Sequence, residues 1–430
     1  MSDQEQNEVS IPKTAVMVGR DGVYVLSWPD LNIEIHVNRI RESHDHETKA
    51  EVLITSRRPA APGHLKQGRI NMTSTASRKS MERSLTERDP TVDWDAVLEQ
   101  MCFAVLQAFR AGSPVQRIEK VDVAAQQRWL IDPLLQLNNP TLIYGPGSSG
   151  KSWLGQYIAV LADAGLSETG FDVDPCTGRV LYLDWETTQD EIAERVTKIR
   201  QGLNMPDSGN IWYKRMTSGL ANDIESLREA VVDHNIALVI VDSLGSACMG
   251  EPESAEVVLR TFSALRSLNV TALCIDHTNK EGYLFGSVYK YNSARMVFEI
   301  KKSQEPDEDK LIFVLFHKKA NNSKLIKERG FIMTFGDGAV TFERQDVRDT
   351  PLADQLRLVD RIANLLREGA MTAQDIAEGL DKARGHVDKV LSNGVRDGRF
   401  VRLNDKTHRY ANSAFEDVVG IDEDGWTTIS

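Results

Sequence analysis

One stretch of the chain joins a strand-like run, a glycine-rich loop and a helix-like run. Residues 141–144 read as a strand, residues 145–152 read GPGSSGKS, and residues 153–164 read as a helix. Glycine allows backbone conformations that a side chain would block, so successive N–H groups of the loop can converge on a phosphate. The helix that follows adds the positive end of its dipole. The stretch therefore predicts a P-loop, the phosphate-binding loop of nucleoside triphosphatases.

The loop and the first helical residue after it supply the nucleotide-binding candidates: Gly145, Pro146, Gly147, Ser148, Ser149, Gly150, Lys151, Ser152 and Trp153. We expect Lys151 to neutralise the β- and γ-phosphates of ATP, and the Ser152 hydroxyl to coordinate Mg²⁺. Asp242, which ends the apolar run Ala237–Val241, is the second predicted Mg²⁺ ligand. A glycine turn before an ordinary helix is the simpler interpretation of the loop, but every fixed position of the motif is filled.

The 430 residues carry a net charge of −12, with 41% hydrophobic and 27% charged residues. These proportions are ordinary for globular proteins, and the length predicts about three domains. Because no apolar run could span a bilayer and the first residues are polar, we expect a cytoplasmic protein without membrane contact. The scattered cysteines predict reduced, mostly buried thiols rather than disulfides or a zinc site: Cys102, Cys176, Cys248 and Cys274.

Residues 1–113 read as a small α+β domain of unknown role. Apolar alternation predicts strands at Thr14–Val18, Val23–Trp28, Ile33–Asn38 and Glu51–Thr55, and apolar periodicity predicts helices at Ser77–Arg88 and Asp95–Ala111. A basic stretch joins the last strand to the first helix: Arg57, Arg58, Lys66, Arg69, Arg78, Lys79 and Arg83. It could contact phosphates or an acidic partner, or it could be a solvated loop, and the sequence leaves both interpretations open.

In residues 114–348 nearly continuous apolar strands alternate with helices. This pattern predicts an α/β domain whose mostly parallel sheet is covered on both faces. The predicted strands include residues 178–184, Ala237–Asp242 and Val270–Ile275. Later runs predict that antiparallel strands extend the sheet: Met296–Lys301, Leu311–His317 and Gly330–Thr334.

After residue 348 the pattern changes to three helices and a hairpin: Leu356–Gly369, Thr372–Gly379, Lys382–Asp397, then Phe400–Leu403 with Thr407–Ala411. Residues 349–413 thus resemble a winged helix-turn-helix. Thr372 and Asp375 form a capping-box pattern, with aspartate where glutamate or glutamine is usual. The last segment, residues 414–430, holds five acids and no basic residue, and we expect a flexible tail that could bind a protein partner.

The residue after Asp242 is Ser243, at the position where many ATPases place a catalytic glutamate. A carboxylate from elsewhere is therefore needed to activate water. Asp184–Trp185–Glu186 ends another strand, and the ends of neighbouring parallel strands meet at one crevice. We expect the three strand ends that carry Lys151, Asp242 and Glu186 to be neighbours. Glu186 is the candidate that activates water, and Asp184 is the alternative.

Three further residues are candidates for contact with the γ-phosphate. His277 follows the strand Val270–Ile275 and could sense the phosphate, or it could be a hydrogen-bonded histidine at a strand end. Lys318 and Lys319 follow a late strand and could reach into the site of a neighbouring subunit, where such a cation raises the rate by about 10³–10⁵. A solvated turn is the alternative interpretation of the lysine pair.

These motifs together resemble the RecA-fold ATPases, and in particular the RepA/DnaB-like hexameric helicases and their KaiC- and RadA-type relatives. RepA-like members carry a histidine at the position of His277, and Lys318-Lys-Ala-Asn321 is similar to the family's K-x-R-N turn. Because Ala320 replaces the arginine, the resemblance leaves Lys318 or Lys319 as the cation that acts in trans. It also implies a homo-oligomer in the form of a hexameric ring, with ATP at subunit interfaces.

The resemblance further implies DNA-contacting loops after Asp242 and after His277. The first, residues 245–255, is acidic, whereas the second, residues 279–295, combines cations with aromatic rings that suit single-stranded DNA. The nucleic-acid candidates are Lys280, Lys290 and Arg295 in this loop, and Arg384 and Lys389 on the presumed recognition helix. The sequence thus predicts an ATP-dependent, DNA-associated motor such as a helicase or translocase. The alternatives are a loader or recombination mediator that does not unwind DNA, and a KaiC-like regulatory oligomer.

Overall fold

The computed structural model describes residues 10–20, 22–43, 45–58, 61, 63–112, 117–120, 128–174, 178–206, 209–251, 253–404, 407–413, 419–420 and 427–428. The chain divides into two compact units. The first comprises residues 1–127 together with residues 222–233, and the second comprises residues 128–221 and 234–430.

The strands and helices of the described residues are numbered here in chain order. The strands are β1 Val16–Arg20, β2 Val23–Trp28, β3 Ile33–Glu42, β4 Thr48–Ser56, β5 His64–Asn71, β6 Trp129–Asp132, β7 Leu135–Gln136, β8 Pro140–Gly145, β9 Asp172–Val173, β10 Arg179–Asp184, β11 Ile211–Arg215, β12 Ile236–Asp242, β13 Thr271–His277, β14 Met296–Ser303, β15 Lys310–Ala320, β16 Arg329–Phe335, β17 Val340–Gln345, β18 Phe400–Arg402, β19 Tyr410–Asn412, β20 Val419–Gly420 and β21 Thr427–Thr428. The α-helices are α1 Thr75–Thr86, α2 Trp94–Ala111, α3 Lys151–Ala164, α4 Gln189–Gly202, α5 Ile224–Asp233, α6 Leu244–Cys248, α7 Ala255–Ser267, α8 Val288–Ser293, α9 Leu358–Leu365, α10 Ala373–Gly379 and α11 Arg384–Arg396.

The first unit is built on an antiparallel sheet in which β1 to β5 follow one another as neighbours. Buried and more exposed residues alternate along β3 and β4, as expected for strands with one face in the core. The core joins Trp28 and Ile35 of the sheet to Trp94 and Met101 of α2. This unit confirms the four predicted strands and two predicted helices, with shifted boundaries.

The basic stretch of this unit contains β5, a strand that the sequence analysis did not predict. Four of its seven cations are paired with acids of the same unit: Arg58 with Asp89, Arg69 with Glu51, Arg78 with Glu99, and Lys79 with Glu82 and Asp95. These pairs favour an ion-paired surface over a patch of free cations.

The second unit contains a nine-stranded sheet with the order β11-β10-β12-β13-β8-β14-β15-β16-β17. The strands from β11 to β14 are parallel, and β15, β16 and β17 are antiparallel to their neighbours. Every residue of β8 is buried, and β12 is buried except at Ala237, because a parallel sheet needs apolar side chains on both faces. The predicted mixed α/β sheet is confirmed, but the run beginning at Met296 is parallel to β8, so the antiparallel extension starts at β15.

One feature of the strand order differs from the prediction. The strands that carry the P-loop, Asp242 and Glu186 are β8, β12 and β10, and β13 lies between β8 and β12. The three strand ends are therefore not all neighbours, because β13 and its terminal His277 separate the P-loop from Asp242. The helices α7 and α8 and the strand β17 were not predicted.

Residues 358–412 of the second unit form α9, α10, α11 and a two-stranded sheet of β18 and β19. Both bonds of the predicted capping box are present, because the Thr372 side chain accepts from the Asp375 N–H while the Asp375 carboxylate accepts from the Thr372 N–H. The elements follow the predicted order. Their assignment to a winged helix-turn-helix stays a prediction, as do the domain boundaries at residues 113 and 348.

Two predictions about composition can be compared with the described part of the chain. Cys102, Cys248 and Cys274 are buried free thiols, as predicted. Among the described residues, no helix is both long enough and apolar enough to cross a membrane. Cys176 and most of the acidic tail, residues 414–418, 421–426 and 429–430, lie outside the described residues.

Candidate active site

Two glycines shape the loop between β8 and α3 in different ways. A Cβ atom at Gly145 would lie 2.2 Å from Cγ2 of Ile300 and 2.6 Å from the carbonyl oxygen of Ile300, so only glycine fits beside β14. Gly150 has a φ of 82°, a left-handed conformation that glycine adopts without strain. No side chain of the described residues caps α3. The first N–H groups of α3 are therefore available to a phosphate.

Lys151, the first residue of α3, turns its side chain back onto the loop. Its Nζ atom donates to the carbonyl oxygens of Gly145, at 3.0 Å, and Pro146, at 2.6 Å, and lies 3.4 Å from Ser149 Oγ. Burial lowers the pKa of Lys151 to about 8, and three nearby carboxylates oppose this effect: Asp242, Asp276 and Glu186. The lysine is thus a buried cation whose partners, apart from these carboxylates, are the neutral oxygens of its own loop.

Trp153 lies next to the P-loop hydroxyl, on α3. The guanidinium carbon of Arg195 lies 5.2 Å from the centre of the indole ring, and the ring of Phe335 meets it edge-on with centroids 5.5 Å apart. The indole is therefore held between α4 and the end of β16 at the border of the predicted nucleotide site.

Asp242 ends β12, and its buried carboxylate accepts hydrogen bonds from two hydroxyl groups. The hydroxyl of Tyr182, on β10, donates to Asp242 Oδ2 at 2.7 Å, and the Ser152 hydroxyl bonds to the same carboxylate. Burial raises the pKa of Asp242, although both hydrogen bonds lower it. A hydroxyl and a carboxylate that already meet are the hard oxygen donors that Mg²⁺ prefers, so Ser152 and Asp242 fit the predicted metal ion.

Glu186 follows β10 and approaches the end of β12 from the side. The Ser243 hydroxyl donates to Glu186 Oε1 at 2.7 Å, and Ser243 Oγ also lies 3.2 Å from Ser246 Oγ. Ser243 is 2% exposed, whereas Glu186 is exposed. The residue that replaces the usual glutamate after Asp242 therefore binds the glutamate that comes from the neighbouring strand.

Asp184, the alternative candidate for the water-activating carboxylate, is surrounded by hydrogen-bond donors. Its carboxylate accepts from the Glu186 N–H at 3.0 Å and from the N–H and hydroxyl of Thr187, and it also contacts the Tyr213 hydroxyl and the Arg215 guanidinium. Burial raises the pKa of Asp184, but these hydrogen bonds outweigh burial and lower it overall. Asp184 therefore fixes the turn that presents Glu186, and its oxygens are occupied.

His277 ends β13, between the P-loop strand and the strand of Asp242. Its backbone pairs with Gly145, and its N–H donates to Asp276 Oδ1 at 2.9 Å. The Thr278 N–H donates to the Gly145 carbonyl oxygen at 3.1 Å. The segment after His277 is thus hydrogen-bonded to the backbone of the P-loop. A residue that senses the γ-phosphate needs to lie beside this loop.

The two lysines predicted to act in trans have different surroundings. Lys318 is 40% exposed in its side chain and pairs with Glu299 at 2.7 Å. Lys319 Nζ instead donates to the carbonyl oxygens of Tyr291, Asn292 and Ala294 at the end of α8, at 3.0, 2.8 and 2.7 Å. Lys319 therefore binds the carbonyls of a helix end, and Lys318 is the more exposed lysine of the pair.

Sequence reasoning missed one cation beside the P-loop. Lys302, on β14, donates from Nζ to the Ser148 carbonyl oxygen at 2.9 Å. It borders an open cavity of about 760 Å³ that also contains Lys280, Lys301 and Lys318. The sequence shows the pair Lys301-Lys302 near the end of a predicted strand. It does not show that this strand, β14, pairs in parallel with β8, and this pairing is what places Lys302 beside the P-loop.

The nucleic-acid candidates do not form one surface. Lys280 is exposed near the carboxyl end of β13, whereas Arg295 is exposed at the amino end of β14, where its N–H bonds to the Pro140 carbonyl oxygen. Lys290 is 1% exposed and pairs with Asp276 at 2.7 Å. Contrary to expectation, Lys290 does not reach solvent, because it neutralises a carboxylate that is equally buried.

The two candidates on α11 are exposed. Arg384 lies 3.4 Å from Gln374 Oε1 and 3.7 Å from Asp388 Oδ2, and Lys389 faces solvent. Because an acid of the same helix lies beside Arg384, this face of α11 is of mixed charge. Its contact with nucleic acid stays a prediction.

Comparison with known proteins gives a family for part of the chain. Residues 110–283 match the family described as AAA domain, a segment that contains the P-loop, Glu186, Asp242 and His277. This segment is therefore similar to an AAA domain. The match covers less than half of the chain and ends before Lys318.

The other comparisons are more distant. A search of curated protein sequences found no match. Among solved structures, the chain is similar to a KaiC-like protein from the hyperthermophilic archaeon Pyrococcus horikoshii, with 16% identity, a TM-score of 0.37, and coverage of 50% of this chain and 93% of that one.

Proposed function

We propose that this protein hydrolyses ATP at the ends of β8, β10 and β12, with Glu186 as the residue that activates water. The observation that carries the proposal is the joint placement of three groups: the buried cation Lys151, the bonded pair Ser152 and Asp242, and the carboxylate of Glu186 held by Ser243. Together they supply a phosphate-binding cation, two Mg²⁺ ligands and a base, which are the groups that phosphoryl transfer to water needs.

In the proposed reaction the phosphates of ATP replace the loop carbonyls as partners of Lys151. Ser152 and Asp242 would hold Mg²⁺, and the bound ion would supply positive charge against the phosphates. A water molecule attacks the γ-phosphorus, its proton passes to Glu186, and the bond to the ADP oxygen breaks to release phosphate. Since Ser243 occupies Oε1 of Glu186, Oε2 is the oxygen that can accept the proton.

We further propose that hydrolysis is coupled to single-stranded DNA through the segment after His277. Large aromatic side chains are exposed along this segment at Tyr283, Phe285 and Tyr289, and Tyr283 is 72% exposed. Lys280 is exposed beside them. Exposed rings and cations suit the stacking of bases and the binding of a phosphate backbone, without preference for sequence.

The motor would be a homo-oligomer, such as a hexameric ring, in which Lys318 of one subunit completes the ATP site of the next. Lys318 supports this proposal because it is half-exposed and held by a single acid, Glu299. The transition from bound ATP to ADP would release the segment after His277, which is bonded to Gly145 of the P-loop, and would move the strand.

The test is the ATPase rate with and without single-stranded DNA. Parent protein, Glu186→Gln and Tyr283→Ala are compared, with Phe103→Ala as the control because Phe103 is an exposed aromatic residue of the first unit. We expect DNA to stimulate the parent and Phe103→Ala, a reduced stimulation of Tyr283→Ala, and nucleotide binding without turnover in Glu186→Gln.

The same rates, together with an assay for separation of a DNA duplex, distinguish the alternatives. Stimulation by DNA without strand separation would indicate a loader or recombination mediator. Hydrolysis that does not respond to DNA would indicate a regulatory oligomer. Parental turnover in Glu186→Gln would exclude Glu186 as the base.

A further inference from the structure

Two strands of the active site exchange hydrogen bonds in a reciprocal way. β10 supplies the Tyr182 hydroxyl to Asp242 at the end of β12, and the end of β12 supplies the Ser243 hydroxyl to Glu186 after β10. Both distances are 2.7 Å, and both donors are buried, with Tyr182 0% and Ser243 2% exposed. Each strand therefore holds the carboxylate of the other.

We propose that Tyr182 and Ser243 are positioning residues with separate tasks: Tyr182 orients Asp242 toward Mg²⁺, and Ser243 orients Glu186 toward water. The proposal rests on the proposed ATP hydrolysis. It predicts that loss of the Tyr182 hydroxyl impairs the binding of Mg²⁺, and that loss of the Ser243 hydroxyl impairs the chemical step.

The register of the strands places Tyr182 beside Asp242. Asp184 pairs with Asp242, and Tyr182 stands two residues earlier on β10, on the same face as Asp184. Its ring is enclosed, so its hydroxyl has a fixed direction and donates to Asp242 Oδ2. A hydrogen-bond partner that orients a metal-binding carboxylate is typically worth about 10- to 100-fold in metal affinity or activity.

Ser243 restrains the side chain of Glu186, whose backbone is held separately. Asp184 already fixes this backbone through the N–H groups of Glu186 and Thr187, so the remaining freedom of Glu186 is that of its side chain. The bond from Ser243 removes this freedom and ties the base to the residue after the metal ligand. A catalytic group displaced by about 1 Å can lose about 100-fold in rate, so the bond matters in the chemical step.

The first experiment measures the binding of a fluorescent ATP analogue as a function of Mg²⁺ concentration. For Tyr182→Phe we expect the Mg²⁺ concentration at half-saturation to rise about 10-fold or more. Tyr157→Phe is the matched control. Tyr157 is a buried tyrosine on α3, and its hydroxyl lies 3.2 Å from Thr169 Oγ1 instead of contacting Asp242. We expect the Mg²⁺ midpoints of Tyr157→Phe and Ser243→Ala to equal that of the parent.

The second experiment measures single-turnover hydrolysis at saturating Mg²⁺ and ATP. For Ser243→Ala we expect a rate about 10- to 100-fold below that of the parent, with unchanged affinity for the ATP analogue. Ser267→Ala, which removes a hydroxyl bonded to the Ala264 carbonyl oxygen on α7, is the control.

For Tyr182→Phe we expect a reduced rate of hydrolysis that returns toward the parental rate as the Mg²⁺ concentration is raised. Thermal melting checks that each variant is folded, and Ser243→Cys replaces Ser243→Ala if the alanine variant is not.

A double-mutant cycle with Glu186→Gln separates this inference from the proposed function. If Ser243 acts through Glu186, Ser243→Ala causes no further loss in the residual single-turnover rate measured for Glu186→Gln. A parental rate for Ser243→Ala, together with an inactive Glu186→Gln, would overturn the role of Ser243 and leave the proposed hydrolysis intact. A parental Mg²⁺ midpoint for Tyr182→Phe would overturn the role of Tyr182. An active Glu186→Gln would remove the role of Glu186, and with it that of Ser243.

Discussion

The Nζ atom of Lys151 lies 2.6 Å from the carbonyl oxygen of Pro146, inside the loop that Lys151 itself follows. A second carbonyl oxygen, that of Gly145, lies 3.0 Å from the same atom. The loop thus provides its own neutral acceptors for a buried cation. Phosphate oxygens are charged acceptors and form stronger hydrogen bonds with an ammonium group than carbonyl oxygens do. The phosphates of a nucleotide can therefore replace the two loop carbonyls as partners of Lys151.

We expect Lys151→Met to weaken nucleotide binding by at least about 10-fold, because a hydrogen bond to a charged group is worth about 1.5–3 kcal/mol. The melting temperature should change little, because removal of a buried charge offsets the loss of the donor to the Gly145 and Pro146 carbonyl oxygens. Titration with a fluorescent ATP analogue and thermal melting measure the two effects. Lys310→Met, an exposed position on β15, is the control, and parental affinity in Lys151→Met would contradict the proposed site.

Two glycines of the same loop offer a matched pair of substitutions. Gly145→Ala should lower the free energy of unfolding by about 1–3 kcal/mol, because the new methyl group would overlap Ile300. Gly147→Ala should change it by less than about 0.5 kcal/mol, because a Cβ atom there meets no atom within 4 Å. Denaturation by urea measures both. Equal stability of the two variants would show that β14 can move away from the loop.

Replacement of the adjacent residues Lys318 and Lys319 should lower the free energy of unfolding by different amounts. Lys319→Met leaves three carbonyl oxygens without their donor and should lower the free energy of unfolding by about 1–3 kcal/mol. Lys318→Met loses an ion pair at the surface and should lower it by less than about 1 kcal/mol. If Lys318 acts in trans, its variant should also lose most of its ATPase activity at protein concentrations where the oligomer forms. A Lys318→Met variant with full activity would exclude that role.

The sequence predicted the parts of the site that depend on local pattern. Strand, loop and helix around Lys151 follow one another in the chain, and the apolar run before Asp242 identifies a buried strand, so both could be located without coordinates. The bond between Ser243 and Glu186 joins residues 57 positions apart. It depends on the pairing of β10 with β12, which no local pattern specifies. For the same reason, the insertion of β13 and the burial of Lys290 could not be predicted.

The pH dependence of stability should contain a contribution from His317. Burial lowers the pKa of His317 below its ordinary value of 6.5, outweighing its bond to the Lys319 carbonyl oxygen. The ring stacks on Phe298, Nε2 lies 2.8 Å from that carbonyl oxygen, and Nδ1 accepts the Ile326 N–H at 3.1 Å. A neutral ring protonated on Nε2 satisfies both bonds, whereas a second proton on Nδ1 would remove an acceptor.

The sign of the effect follows from proton binding. Between the lowered pKa of the folded protein and 6.5, the unfolded chain holds a proton on His317 that the folded protein lacks, so the free energy of unfolding rises with pH. The contribution of His317 is complete above pH 6.5 and is lost as the pH falls below it. Urea denaturation between pH 5 and 8 should show a weaker dependence for His317→Asn than for the parent. His386→Asn, an exposed position on α11, should retain the parental dependence.

Lys280 and Lys290 lie in one predicted DNA-contacting loop but have opposite burial, so they distinguish binding from stability. Lys290→Met leaves Asp276 buried without its cation and should lower the free energy of unfolding by about 3–5 kcal/mol. The double variant Lys290→Met/Asp276→Asn should recover most of this loss, because no charge is then left unpaired. Urea denaturation measures both variants.

Lys280→Met should weaken the binding of DNA without lowering stability, in contrast to Lys290→Met. Lys280 is exposed, so its loss should leave stability within about 0.5 kcal/mol of the parent. If it contacts a phosphate, binding of a single-stranded oligonucleotide should weaken, and the slope of log affinity against log salt should fall in magnitude by about 0.7. Fluorescence anisotropy at several salt concentrations measures this slope. An unchanged slope in Lys280→Met would show that Lys280 does not contact a phosphate.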